Sequence, residues 1–319
     1  METPPVIGFI HSGKAFLPEL ESYKRFFNRI GVRSLELHPR EREKYVLTVE
    51  WHMMGTHWVK SSKKSIIIHE YASPSTPPFA GFKNQIKRYW TCRPDYRLFL
   101  NEATRKEMGF SDTIPYGYRD MFIPVIPESY LKSKTVPLYD FVYAGSLSAD
   151  RKPERLLDLF SKGRLQDYRL LILSRNYTWL QNKYRASTNI TFIGPVPQTE
   201  LGHYFAKARF GIDYRPTIKP YDIQTSSKLL EYIAYELPVI CSSTKWLRSF
   251  QEQFGGRFFM LDENLANFTM EAVEAFEFRK PDLSNWTFSH QMKQSGILPF
   301  LFEKTGLKQF NLDIGETTW

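Results

Sequence analysis

The chain has 319 residues, 42% hydrophobic, 16% aromatic and 24% charged. That length exceeds what one hydrophobic core usually organises, so two domains are expected and a small single module is excluded; with a mean hydropathy of −0.41 a disordered or membrane-spanning chain is excluded too. The formal net charge of +9 is carried mostly in front, where residues 1–137 hold 21 Lys and Arg against 14 Asp and Glu and the remainder holds 22 against 20. Such a front part attracts phosphate, whether of nucleic acid, an anionic lipid headgroup or a nucleotide ligand.

The chain opens with a short apolar run, VIGFI, and lacks a basic lead into a longer apolar stretch, so it reads as a first strand and not as a signal peptide. His11-Ser12-Gly13-Lys14 forms the following loop, and Leu17, Leu20, Tyr23, Phe26 and Phe27 recur at helical spacing. After Gly31 come VRSLELH, the charged stretch Arg40 to Lys44, YVLTVEW, a polar patch and SIIIHEY. Short apolar strands alternating with helical or loop segments predict a parallel sheet with helices on its faces. ASPSTPPFAG reads as a loop, and the proline-rich stretch from Pro115 to Pro127 reads as a linker that sets a domain boundary near residue 137. The only cysteines, Cys92 and Cys241, are far apart, which excludes a disulfide scaffold and a thiolate zinc site and points to a reducing, cytoplasmic setting.

The rear part repeats the rhythm: YDFVYAG as a strand, Glu154 to Phe160 as a helix, YRLLILS and NITFIG as strands, Glu200 to Lys207 as a helix and FGIDYRP as a strand. Ser226 to Tyr235 then reads as a helix entered through capping serines, followed by the buried strand LPVICSS. This is a doubly wound α/β pattern, which takes its ligands at the carboxyl ends of the strands.

Several segments carry chemistry. Gly8 to Ala15 fits the spacing of a phosphate loop but has Ala15 where magnesium needs a hydroxyl, so an NTPase or kinase using Gly13-Lys14 stands only as an alternative. Gly13 still allows backbone amides to approach a phosphate. Ser146, Arg151 and Lys152 follow a strand and precede a helix, the outline of a diphosphate site. Thr225-Ser226-Ser227-Lys228 offers hydroxyls, helix amides and a cation, with Glu231 one turn on, in a stretch apolar enough that the carboxylate needs a partner. His69 directly follows SIII and is expected to project from a strand end, where it would hold a proton or an acceptor hydroxyl. No HExxH or D-x-D occurs, so no metal is expected. Lys83, Lys87, Arg88, Tyr89, Trp90 and Arg93 place basic and aromatic residues together, as a membrane interface, an RNA or a solvated helix face would require.

In order, YAGSLSADRKPERLLDLF, ITFIGPVPQTELGHYFAKARFGIDYRP and SSKLLEYIAYELPVICSS resemble three blocks of the GT-B glycosyltransferases, especially the retaining, nucleotide-sugar-dependent family 4; PYGYRDMF is similar to the signature that closes their first domain. The resemblance implies two Rossmann-like domains facing a cleft: an acceptor-binding domain at 1–137, a nucleotide-sugar-binding domain at 138–285 and a helical segment at 286–319 that crosses back. It implies that Lys152, and Arg151 beside it, neutralise a donor diphosphate cradled by the amides of Thr225 to Ser227, that Glu231 binds the ribose and that Gly194 and Val196 lie against the base. It implies that His69 lies near the transferred sugar. The activity implied is metal-independent transfer of a hexose-type sugar to a glycan or lipid-linked acceptor in surface polysaccharide or lipopolysaccharide assembly, with no nucleic acid partner and a peripheral contact with an anionic membrane. The family's first glutamate of a pair is Ile223 here, beside Asp222, which leaves a non-catalytic binding module on the same fold as a further alternative.

Overall fold

The computed structural model describes residues 4–311 apart from 14–16, 18, 54–56, 62–63, 77, 125, 127–135 and 285. Its contacts divide the chain into one unit of residues 1–121 and 286–319 and another of residues 122–285. Each unit holds one six-stranded, wholly parallel sheet.

In the first unit the strands are β1 (Val6–Ile10), β2 (Arg33–Leu37), β3 (Val49–Met53), β4 (Ile66–Tyr71), β5 (Tyr96–Phe99) and β6 (Tyr116–Tyr118), in the spatial order β2-β1-β3-β4-β5-β6. Helices cover both faces of such a sheet, so its central strands need no polar side; β3 is buried from end to end and β4 from its second residue on. Phe9, Tyr23, Phe27 and Trp51 stack into one aromatic cluster with ring centroids 4.9–6.3 Å apart, the helix Glu19–Arg29 supplying Tyr23 and Phe27. The returning helices Phe288–Gln294 and Ile297–Thr305 add Met292, Ile297, Leu298 and Leu301 to the same core.

The last strand departs from the expected linker. Tyr116–Tyr118 pairs with β5 and meets the returning segment, where the Tyr96 hydroxyl donates to the Ser295 carbonyl at 2.7 Å. A Cβ at Gly117 would fall 1.8 Å from that carbonyl oxygen. Gly117→Ala is therefore expected to cost about 3 kcal/mol, the upper end of ordinary overpacking, and to expose the 286–311 segment to protease; urea titration and limited proteolysis read both effects.

The second unit contains β7 (Tyr139–Ala144), β8 (Leu170–Leu173), β9 (Ile190–Ile193), β10 (Ala208–Asp213), β11 (Val239–Ser242) and β12 (Phe259–Leu261), in the order β12-β11-β10-β7-β8-β9. The strand order reverses between β7 and β10, which makes their carboxyl ends the switch point where a doubly wound sheet opens a crevice. Phe141, Phe160, Phe210 and Phe268 centre the core beneath it. Among the described residues, no helix is long and apolar enough to cross a membrane.

Candidate functional site

The loops that follow β7 and β9 of the second unit both touch one helix beside the switch point. The helix Ser227–Ala234 starts from Ser226, whose hydroxyl accepts from the Leu229 amide at 3.4 Å. Its side chain is thus spent on the cap, while Ser227 is exposed and Thr225 buried. Gly145 leaves β7 at φ +140°, and a Cβ there would lie 3.1 Å from Lys228 Cδ, so glycine lets this loop rest on the helix. From the β9 side, Gln198 Nε2 donates to Glu231 Oε1 at 3.2 Å. Tyr221, upstream of the helix, donates its hydroxyl to the Asp150 carboxylate, and the Arg151 guanidinium lies 5.3 Å from the Tyr221 ring centroid.

The cations at this end differ in kind. Lys152 closes a single 3-10 turn, Ala149–Arg151, at φ +50°; it is exposed and has no ion-pair partner among the described residues. Arg151 is half-buried beside it, and Ser146 is exposed on the same loop, its carbonyl accepting from Tyr143 at 2.7 Å. Lys228, expected as a cation offered to an anion, is turned inward instead: its ammonium lies 3.1 Å from Asp213 Oδ1 and 4.2 Å from the Tyr143 ring centroid. The reason is Asp213 itself, which ends β10 almost fully buried and needs a counter-charge. Burial pushes the Asp213 carboxyl up, but Lys228 and Arg215 outweigh it and hold the group below its ordinary range.

Glu231 is half-buried on the same helix. Burial pushes its carboxyl up to about 7, against the opposing pull of Gln198 and Lys228. Gly194 and Val196 follow β9, both half-buried, with Gly194 facing the Tyr177 ring. Asp213 and Arg215 were not singled out from the sequence, although FGIDYRP ends a strand on a charged pair. Arg215 donates to the Gln224 carbonyl at 2.8 Å. Asp222 is buried with Oδ2 3.4 Å from Lys245 Nζ, while its Oδ1 makes no hydrogen bond among the described residues.

Gly13 and His69 belong to the first unit. Gly13 sits at φ +72° in a hollow of about 390 Å³ with His11, Ser12, Glu36, Leu37 and His38, its amide donating to His11 Nδ1 at 3.2 Å. Lys14 lies outside the described residues. The expectation that His69 projects from a strand end is corrected: β4 runs on through Tyr71, because Ile68 to Tyr71 continue in register with Tyr96 to Phe99. His69 is fully buried, with Nε2 3.0 Å from His57 Nδ1 and Nδ1 3.1 Å from the Tyr71 hydroxyl. His52 stacks on His57 at 4.3 Å. Burial and the neighbouring histidines push His57 down to about 4 and His69 well below the usual imidazole value, so both are neutral at neutral pH. Among the described residues no group of three or more His, Cys, Asp or Glu is arranged to hold a metal ion.

No protein-family model matches the chain, and no curated protein is similar to it in sequence. Solved structures are similar in fold. They include AviGT4, a glycosyltransferase involved in avilamycin A biosynthesis, at 12% identity over 97% of each chain and a TM-score of 0.55. Sucrose-phosphate synthase from Thermosynechococcus elongatus aligns at 12% identity over 96% of this chain and 98% of its own, TM-score 0.57. A trehalose-6-phosphate protein from E. coli, bound with UDP-2-fluoro glucose, aligns at 9% identity over 96% and 97%, TM-score 0.54. Two doubly wound parallel sheets with these neighbours are a GT-B fold.

Proposed function

We propose that this chain is a glycosyltransferase that moves a sugar from a nucleotide-diphosphate sugar to a glycan or lipid-linked acceptor, with the donor held by the second unit. The observation that carries the reading is that the loop after β7 rests at Gly145 on Lys228 of the Ser227–Ala234 helix and is tied at Asp150 to Tyr221, while Gln198, beyond β9, bonds Glu231 of the same helix, at the switch point of a doubly wound sheet. In this reading Lys152 and Arg151 face the diphosphate, the amides of Thr225 to Ser227 cradle it, Glu231 accepts from the ribose hydroxyls and Gly194 to Val196 line the base. Lys228 serves through Asp213, fixing the helix start, and His69 is an internal strut of the first unit.

The chemistry is the breaking of the bond between the sugar's anomeric carbon and the diphosphate oxygen, which keeps the electron pair. A bond forms from the anomeric carbon to an acceptor oxygen, which gives up its proton. Exposed Lys152 and aligned amides stabilise the charge that grows on the diphosphate without recourse to a metal. Retention of configuration, a role in surface polysaccharide or lipopolysaccharide assembly, a first unit that holds the acceptor and a peripheral contact with an anionic membrane complete the proposal. The likeness in fold to a protein that holds UDP-2-fluoro glucose supports a UDP-sugar as the first donor to try.

A thermal-shift series with UDP, GDP, ADP, CMP and TDP tests it. One nucleotide at a hundredfold excess over its Kd should raise Tm by about 5 °C, since a ligand of the native state adds roughly 2.7 kcal/mol there. Lys152→Ala should weaken that ligand about tenfold and Lys14→Ala should leave it unchanged. A chain that responds to none of the five refutes the donor site, and ATP hydrolysis lost in Lys14→Ala favours the NTPase alternative.

A further inference from the structure

The helix Ala80–Tyr89 of the first unit is turned the wrong way for a globular protein. Its buried residue is Asn84. At about 100° per residue, Phe79, Phe82, Ile86, Tyr89 and Trp90 fall on one stripe of roughly 100° opposite Asn84. Phe82, Tyr89, Trp90 and Phe79 on that stripe are 57–78% exposed, and Ile86 between them is half-buried. An amphipathic helix ordinarily gives this face to the core. Here the inner side is held by polar contacts instead: Asn84 Oδ1 accepts from the Ser75 amide at 3.0 Å, and Arg88 donates to the Gly109 carbonyl at 2.8 Å.

The stripe continues onto a second segment. The Cys92 amide donates to the His57 carbonyl at 2.9 Å, which fastens the chain just beyond Trp90 to the chain just before Trp58, itself half exposed and followed by exposed Val59. Lys60, Lys83 and Arg93 are exposed around these aromatics. From Trp51 to Pro94 the sequence carries seven Lys and Arg and a single acid, Glu70, which is buried and paired with Arg119. Burial and the neighbouring Lys83 push the Lys87 ammonium down to about 8.

We propose that this face docks on an anionic lipid bilayer, with Phe79, Phe82 and Trp90 entering the acyl boundary and Lys60, Lys83 and Arg93 meeting the headgroups. The bilayer surface is the occupant that uses every part of the patch: an apolar layer for the stripe, an interfacial zone for Trp and Tyr, and negative charge for the cations. A nucleic acid offers phosphate and stacking faces but gives exposed Val59 nothing to bury against. The inference deepens the peripheral contact proposed above, resting on that reading for its purpose while standing on first-unit residues alone. Vesicle binding and nucleotide binding therefore fail separately.

The test is flotation of the full chain with phosphatidylcholine vesicles with and without 30% phosphatidylglycerol, at low and high salt, beside Phe82→Ala/Trp90→Ala and Lys60→Gln/Lys83→Gln. Lys83 gives up only an exposed hydrogen bond to the Thr76 carbonyl, and circular dichroism checks that both variants remain folded. The wild-type chain should float with anionic vesicles at low salt. At roughly fivefold per cation near a charged surface, the lysine pair should reduce partition about 25-fold, and the aromatic pair should reduce it at least tenfold while high salt releases part of the bound protein. Wild-type binding unchanged in the aromatic pair overturns the proposal, as does failure to float with anionic vesicles. Single-stranded RNA binding that displaces the vesicles and depends on the same aromatics would reassign the face to nucleic acid.

Discussion

Glu231→Gln is expected to weaken nucleoside-diphosphate binding ten- to a hundredfold while making the empty protein more heat-stable above neutral pH. The binding loss follows from exchanging a carboxylate for a neutral amide where ribose hydroxyls donate, since hydrogen bonds to a charged acceptor contribute about 1.5–3 kcal/mol. The stability gain follows from burial, which raises this carboxyl from an ordinary 4.5 to about 7 in the folded chain. The unfolded chain therefore releases the proton first. The stabilising contribution of the protonated group is complete below pH 4.5, is lost between 4.5 and 7, and is gone above 7. Gln keeps an oxygen for Gln198 and carries no proton to lose. The Tm difference between variant and parent should be small near pH 4.5, grow toward pH 7 and level off above it; a difference independent of pH would contradict the burial of this group. For the parent, nucleotide affinity should rise between pH 6 and 8 as the carboxylate forms, and that rise should vanish in the variant.

Much of the architecture is legible in short runs of sequence, because strands buried on both faces read as unbroken apolar segments. VIGFI, the Ile66 to Ile68 run, FVYA and LLIL all lie in β-strands of the two sheets, and the serines before Leu229 mark a helix start that forms as a cap. What is not legible depends on residues distant in the chain. Tyr116-Gly117-Tyr118 lies among prolines and becomes a strand by pairing with β5, and the Ser295 carbonyl pressed against it requires a residue without a side chain at 117. Lys228 looks like a free cation until Asp213, at the end of another strand, claims it. His69 looks like a strand end because a histidine and a glutamate interrupt the apolar run, yet both are satisfied internally, His69 by His57 and Tyr71, Glu70 by Arg119, Tyr23 and Trp51. Neither strand order follows from element order, and the order is what locates the switch point.

Truncating Arg119 to Ala is expected to destabilise the first unit by about 3–5 kcal/mol, the largest effect of any single substitution considered. Arg119 is 1% exposed and is the cation between two buried carboxylates: its guanidinium pairs with Glu70 and lies 3.7 Å from Glu19. Its Nε donates to the Tyr23 hydroxyl at 2.9 Å, which itself donates to Glu70 Oε2 at 3.0 Å, where the Trp51 indole also donates at 2.7 Å. Removing one partner leaves uncompensated buried charge, which costs far more than the intact pair contributes. Burial already raises the Glu19 carboxyl, with Arg119 opposing and Glu70 adding to the rise, so the variant must push it further. Protonation then relieves the folded variant at low pH, and the destabilisation should shrink as pH falls toward the ordinary carboxylate range and grow above it. Replacing the pair together, Glu70→Gln with Arg119→Met, keeps most of the volume and leaves only Glu19 without its cation, where Arg119→Ala leaves two buried carboxylates, so it should cost less than Arg119→Ala alone. Urea titration of the three proteins at pH 5 and pH 8 separates these outcomes: equal losses at the two pH values would mean that Arg119 acts through packing against Tyr23, and a double variant worse than the single would mean that the polar network itself holds the unit together.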